Sequence, residues 1–127
     1  MTEENPTMVG AATVFVVGDI ARSIAHYRDA LGFAVTFQYG EPTFYACLCR
    51  DEVALHLLAA HRTRRLPGNG GICIFVRDVD RVHADLVSRG AKVIKAPENY
   101  AYGMRDFDVV DPDGNQLTFG MESPVPV

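Results

Sequence analysis

The feature that most restricts how this chain folds is an internal repeat. VGDIARSIAHYRDALGFAV, beginning at Val17, aligns with VRDVDRVHADLVSRGAKV, beginning at Val76. Asp19 meets Asp78, Ile20 meets Val79, Arg22 meets Arg81 and Ala25 meets Ala84. A single deletion in the second copy then brings Gly32 onto Gly90 and Val35 onto Val93. A cap, a helix face and a closing glycine recur in the same order, and a repeat of this length is normally a whole supersecondary unit.

The unit reads as β-α-β-β-β. Ala12–Val17 is a β-branched and aromatic run, a buried strand. Asp19 offers an N-cap, Ile20, Ile24, Tyr27 and Leu31 recur at helical spacing, and Gly32 closes the helix. Phe33, Val35, Phe37 and Tyr39 alternate along a second strand and are expected to share one face. Gly40-Glu41-Pro42 is a turn, Thr43–Cys49 a third strand, Arg50-Asp51-Glu52 a turn and Val53–Ala59 a fourth strand. Residues 61–70 have no apolar periodicity and form the connector. The order then restarts with the strand Ile72–Val76, the cap Asp78, the helix face Val79, Val82 and Leu86, and the closing Gly90. Strands follow at Lys92–Lys95, Arg105–Val110 and Gln116–Met121. The fold class is therefore α+β. Two βαβββ modules, about 10–60 and about 71–121, make one domain over 1–127. Each sheet carries a helix on its outer face, and the other faces curl to enclose a cleft, the natural place for a ligand.

Composition narrows the function classes. Of the residues, 48% are hydrophobic and 22% charged, the balance of a packed globular chain. The apolar run Phe44–Cys49 is far too short to span a bilayer. The opening MTEENPTM is acidic and polar, unlike a signal or transit peptide, so no membrane partner and a cytoplasmic location are expected. The net charge of −4 leaves no basic face for nucleic acid. Arg62, Arg64 and Arg65 form a short basic cluster beside Pro67 and Gly68, read as a solvated linker. The three cysteines, Cys47, Cys49 and Cys73, make no disulfide framework and are read as buried small side chains rather than zinc ligands.

Three segments now carry a resemblance: VVGDIARSIAHYRDALGF, FVRDVDRVHADL and YGMRDFDVVDPDGNQLTFG. Together they resemble the vicinal oxygen chelate superfamily, which includes glyoxalase I, extradiol dioxygenases, fosfomycin-resistance enzymes and bleomycin-resistance proteins. The likeness runs from about Ala12 to Gly120. Asp111-Pro112-Asp113-Gly114 itself reads as a hairpin turn, with Asn115 tying it down, and not as a calcium loop.

The resemblance implies four metal-ligand positions, which here are Ala12, His56, Gly71 and Thr118. Alanine and glycine have no side-chain donor atom, and a threonine hydroxyl is a poor ligand. No metal and no cofactor are therefore expected, and no catalytic residue is assigned. His26 and His83 fall on helices and His61 in the connector, none at a ligand position. The ending resembles the bleomycin-resistance branch, whose members are dimers that sequester a cationic drug without chemistry. That likeness implies a metal-free, small-molecule-binding homodimer in which Phe33, Phe44, Tyr102 and Arg105 match by position; His56 and Thr118, on cleft-facing strands, and Tyr100, in the irregular segment beside Tyr102, complete the expected ligand-binding residues. Aromatic faces would stack on planar or cationic groups, and Arg105 would suit a carboxylate or phosphate. The competing expectation is an enzyme: a metal-dependent lyase, isomerase or dioxygenase, or a metal-free one with His56 as base.

Overall fold

The computed structural model describes residues 5–125. The first module comprises β1 (Thr13–Val17), α1 (Ile20–Asp29), β2 (Ala34–Tyr39), β3 (Tyr45–Arg50) and β4 (Val53–Ala59). The second comprises β5 (Gly71–Phe75), α2 (Val79–Ser88), β6 (Lys92–Asn99), β7 (Met104–Val110) and β8 (Gln116–Glu122). Both helices start as the repeat requires. The Asp19 carboxylate accepts from the Arg22 N–H at 3.0 Å and the Asp78 carboxylate from the Arg81 N–H at 3.1 Å. These caps satisfy N–H groups that the first helical turn leaves without a partner. Gly32 and Gly90 follow the helices at φ +72° and +87°, the left-handed conformation that glycine adopts without steric cost.

Each module forms a four-stranded mixed sheet, ordered β1-β4-β3-β2 and β5-β8-β7-β6. In each, the first and fourth strands run parallel and the other pairs antiparallel. One face of each sheet packs on its helix. Phe15, Leu48, Leu55 and Leu57 pack there with Ile24, Tyr27 and Leu31; Phe107, Val109, Leu117 and Phe119 pack with Val79 and Leu86, all in one continuous core.

The modules are joined in a pseudo-symmetric way, each helix reaching a hairpin of the other. The Tyr27 hydroxyl in α1 donates to Asp111 Oδ2 at 2.9 Å, and Arg50 at the end of β3 donates to Asp85 Oδ2 of α2 at 3.0 Å. Asp111 Oδ1 accepts from the N–H groups of Asp113, Gly114 and Asn115, each at 2.9 Å, which closes the turn between β7 and β8. Asn115 is fully buried. Its amide donates to the Val16 carbonyl and its oxygen accepts from the Gly70 N–H, so this one side chain ties turn, β1 and connector together.

Two details depart from the sequence pattern. β6 continues through Pro97 to Asn99, well past Lys95. It is an edge strand with bulges between Val93 and Lys95 and between Lys95 and Glu98, where a residue lacking an N–H is tolerated. In β2 a bulge falls between Val35 and Phe37, at Thr36. Val35 therefore faces the helix opposite Leu48, while Phe37 and Tyr39 turn to the other face, opposite Cys47 and Tyr45. The four aromatic and aliphatic residues from Phe33 to Tyr39 do not share a face.

Candidate functional site

Each sheet has a second face with no helix on it, and strand register fixes its residues because side chains alternate. In the first module one row runs Val14, His56, Cys47, Phe37 across the four strands, and the next runs Val16, Leu58, Tyr45, Tyr39. In the second module the equivalent rows are Cys73, Thr118, Asp108, Lys95 and Phe75, Gly120, Asp106, Glu98. His56 and Thr118, two of the expected ligand positions, are thus equivalent sites of the duplicated unit.

The first open face is apolar and aromatic. Phe37 and Tyr39 are 54% and 60% exposed and stack with an interplanar angle of 18°. Phe44 meets Tyr39 edge-on at 5.4 Å, and the Arg62 guanidinium sits 4.0 Å over the Phe44 ring. The polar group at its centre is a pair: the Tyr45 hydroxyl lies 2.7 Å from His56 Nδ1. Burial, helped by Cys47, pushes the Tyr45 phenol up from its ordinary value, so it keeps its proton.

The second open face is charged. Lys95 Nζ lies 2.7 Å from Asp106 Oδ1 and 3.6 Å from Asp108 Oδ2. Tyr102 donates to Asp106 Oδ2 at 2.5 Å, and Thr118 donates to Asp108 Oδ1 at 2.6 Å. Both carboxylates are buried despite lying on an open face. The bond to Asp106, with the negative charge around it, raises the Lys95 amine, which excludes it as a neutral nucleophile. The same carboxylate pushes the Tyr102 phenol up to about 12. Tyr100 and Tyr102 lie parallel at 5.3 Å, and Lys95 Nζ sits 4.3 Å over the Tyr100 ring. Cys73 borders the network; burial first, then Asp106 and Asp108, raise its thiol.

The structure thus gathers Tyr100, Tyr102 and Thr118 around two aspartates and a lysine, and places Phe44 and His56 on the other open face. Two expected residues lie elsewhere. Phe33 is 2% exposed and packs on Tyr27 in the core. Arg105 sits opposite Met121 on the helix side of β7, where its guanidinium pairs with Asp80 of α2 at 2.7 Å and reaches Asn99 at 3.2 Å. Strand alternation decides this: if Asp106 points outward, Arg105 cannot. Sequence reasoning missed Phe37, Tyr39, Tyr45, Lys95, Asp106 and Asp108. The aspartates were findable, since alternating acids in an otherwise apolar strand mark a polar face; the bulge that exposes Phe37 leaves no local mark.

The residues do not fit a chelated metal. Ala12 and Gly71 provide no donor, and among the described residues no three His, Cys, Asp or Glu side chains are placed to hold an ion together. No described helix is long and apolar enough to cross a membrane. No hydrogen bond, ion pair or ring contact joins the two open faces among the described residues. A groove of about 830 Å³ does run between the modules, lined by helix-side Phe33, Ile74 and Phe119 together with Phe75 of the second open face.

Comparison with known proteins places these faces in context. The sequence profile of the Glyoxalase/Bleomycin resistance protein/Dioxygenase superfamily matches residues 11–119. A curated bleomycin resistance protein of Geobacillus stearothermophilus is 29% identical, over 88% of this chain and 96% of its own length. A superfamily member from Sphaerobacter thermophilus superposes with a TM-score of 0.77 at 25% identity, covering 92% of this chain and 100% of that one. The bleomycin-binding protein of Streptomyces verticillus, solved with copper(II)-bleomycin, shares the fold with a TM-score of 0.76 at 23% identity, over 94% and 100% of the two chains.

Proposed function

Because the chain belongs to the glyoxalase/bleomycin resistance protein/dioxygenase superfamily, we propose that it binds and sequesters a small molecule as a homodimer, in the manner of an antibiotic-resistance protein, without a metal ion and without chemistry. The observation that carries this reading is the division of labour between the two open faces. One is flat, apolar and aromatic; the other holds two buried aspartates against a single lysine. A surplus negative charge in a poorly solvated site favours a cationic group, and paired rings favour a planar one. The curated relatives named for bleomycin resistance support the same guest class.

A second copy is part of the reading. Phe37, Tyr39 and Phe75 are each more than half exposed, and among the described residues no bond or ring contact joins the open faces of one chain. Apposing the aromatic face of one chain to the acidic face of the other covers these rings and encloses the guest on two sides. Sedimentation equilibrium reads the dimer directly.

Titration calorimetry with metal-free bleomycin, a planar monocation and a planar carboxylate tests the guest. Binding of the cations that falls at least tenfold in Asp106→Asn is expected. Binding of the carboxylate with none of the cations would refute the cationic guest, and stoichiometric zinc, nickel, iron or manganese by elemental analysis would replace this reading with the metal-dependent enzyme.

A further inference from the structure

His56 occupies a position at which a chelating fold would use a metal ligand, and the way it is held says what it does instead. Its Nδ1 lies 2.7 Å from the Tyr45 hydroxyl, with the rings edge to face. Its Nε2 has no partner among the described residues and is not among the buried, unsatisfied atoms, so it reaches the open side. One proton must sit between Tyr45 and Nδ1. Either the phenol donates it to a bare Nδ1, or an Nδ1–H donates it to the phenol oxygen, which can also accept. Burial holds that phenol in its protonated form. With the phenol as donor, the bond runs from Tyr45 to Nδ1 and the imidazole hydrogen is left on Nε2.

We propose that Tyr45 is a positioning residue that locks His56 as the Nε2–H tautomer, so that the aromatic face offers one outward hydrogen-bond donor to an acceptor oxygen on a flat, largely apolar guest. This rests on the small-molecule reading above and names the chemistry of one end of the guest. The surroundings fit. His56 is flanked across the sheet by Val14 and Cys47 and along the same face by Leu58, none of which competes strongly as an acceptor. Phe37, the exposed ring of the same row, lies two strand spacings away, about 10 Å. The guest thus places a ketone, phenolate or carboxylate oxygen over His56 and a planar ring over Phe37 and Tyr39. An outward N–H neither ligates a metal nor removes a proton from the guest, so the same lock opposes both enzymatic roles for His56.

Long-range proton–nitrogen correlation spectra of isotopically labelled, ligand-free protein at mildly alkaline pH read the tautomer without any guest. A single Nε2–H form is expected in the wild type, and a mixture of both tautomers in Tyr45→Phe with the fold unchanged by circular dichroism. An Nδ1–H form in the wild type, or an identical spectrum in Tyr45→Phe, overturns the lock. Three naphthalene probes then read the guest: a methyl ketone, a carboxylate and a methylammonium. The ketone and carboxylate should shift the His56 signals and weaken about five- to tenfold in His56→Phe, the loss of one hydrogen bond. The ammonium should leave the His56 signals unmoved. If the Nε2–H form is present but neither oxygen-bearing probe shifts His56, the acceptor-bearing guest is refuted. If the bleomycin and cation titrations are also silent, the sequestering reading itself fails, separately from the tautomer lock.

Discussion

Replacing Lys95 by methionine keeps the aliphatic stem and removes the charge at the centre of the acidic face. Its side chain is 36% exposed, while the Asp106 and Asp108 side chains that it serves are only 8% and 12% exposed. An exposed ion pair contributes about 0–1 kcal/mol, and stripping the partner from a fully buried one costs about 3–5 kcal/mol. Tyr102 and Thr118 still donate to the two carboxylates in the variant. One half-exposed partner against two nearly buried ones places the loss near 2 kcal/mol. Urea denaturation should show it as a lower midpoint with an unchanged slope.

The pH dependence follows with a definite sign. Asp106 holds the folded-state lysine above its ordinary value. Its stabilisation is therefore complete below the unfolded lysine value, about 10.4, and is lost as pH rises through the raised one. The wild type should weaken in strong alkali through this group, and Lys95→Met should not. For a cationic guest the same substitution removes a competing charge. At about 4 Å that is worth about 1 kcal/mol in water and more when screened less, so binding should tighten about tenfold. Coincident urea midpoints at every pH, or weaker cation binding by the variant, would refute the reasoning.

Asn115→Ala should cost about 2–4 kcal/mol, because it removes two donated bonds and leaves the Gly70 N–H without its acceptor; thermal unfolding measures it. Burial lowers the His26 imidazole, whose Nε2 is buried without a partner. Stability should therefore fall as pH drops below the unfolded histidine value, about 6.5, until the folded form also takes a proton. His26→Gln should flatten that part of the pH–stability curve. Cys73 is exposed but its thiol is raised, so iodoacetamide should label it more slowly at neutral pH than in the unfolded chain, as followed by mass spectrometry.

Much of the fold was readable in the sequence because the signals were local. Asp19 and Asp78 cap helices with their own side chains, and the Asp111–Gly114 turn is closed by bonds spanning at most four residues. The candidate site was only partly readable. His56, Thr118, Tyr100, Tyr102 and Phe44 were singled out, and all lie on or beside an open face. Phe33 and Arg105 were singled out too, but core packing took the first and Asp80 of α2 took the second. The pairing of Arg105 with Asp80 joins residues far apart in the chain, so no window of sequence reveals it.

Composition, periodicity and the repeat by themselves determined that there are two modules and where their helices begin and end; the resemblance then implied ligand positions at Ala12 and Gly71, which carry no donor. The tertiary structure alone decided which side chains the open faces display. Single-residue bulges at equivalent places, after Val35 and after Val93, reverse the alternation and turn Phe37 and Lys95 outward. A bulge is settled by how a strand registers against its neighbour and by what that neighbour buries. That is a property of two distant segments meeting, which neither segment carries alone.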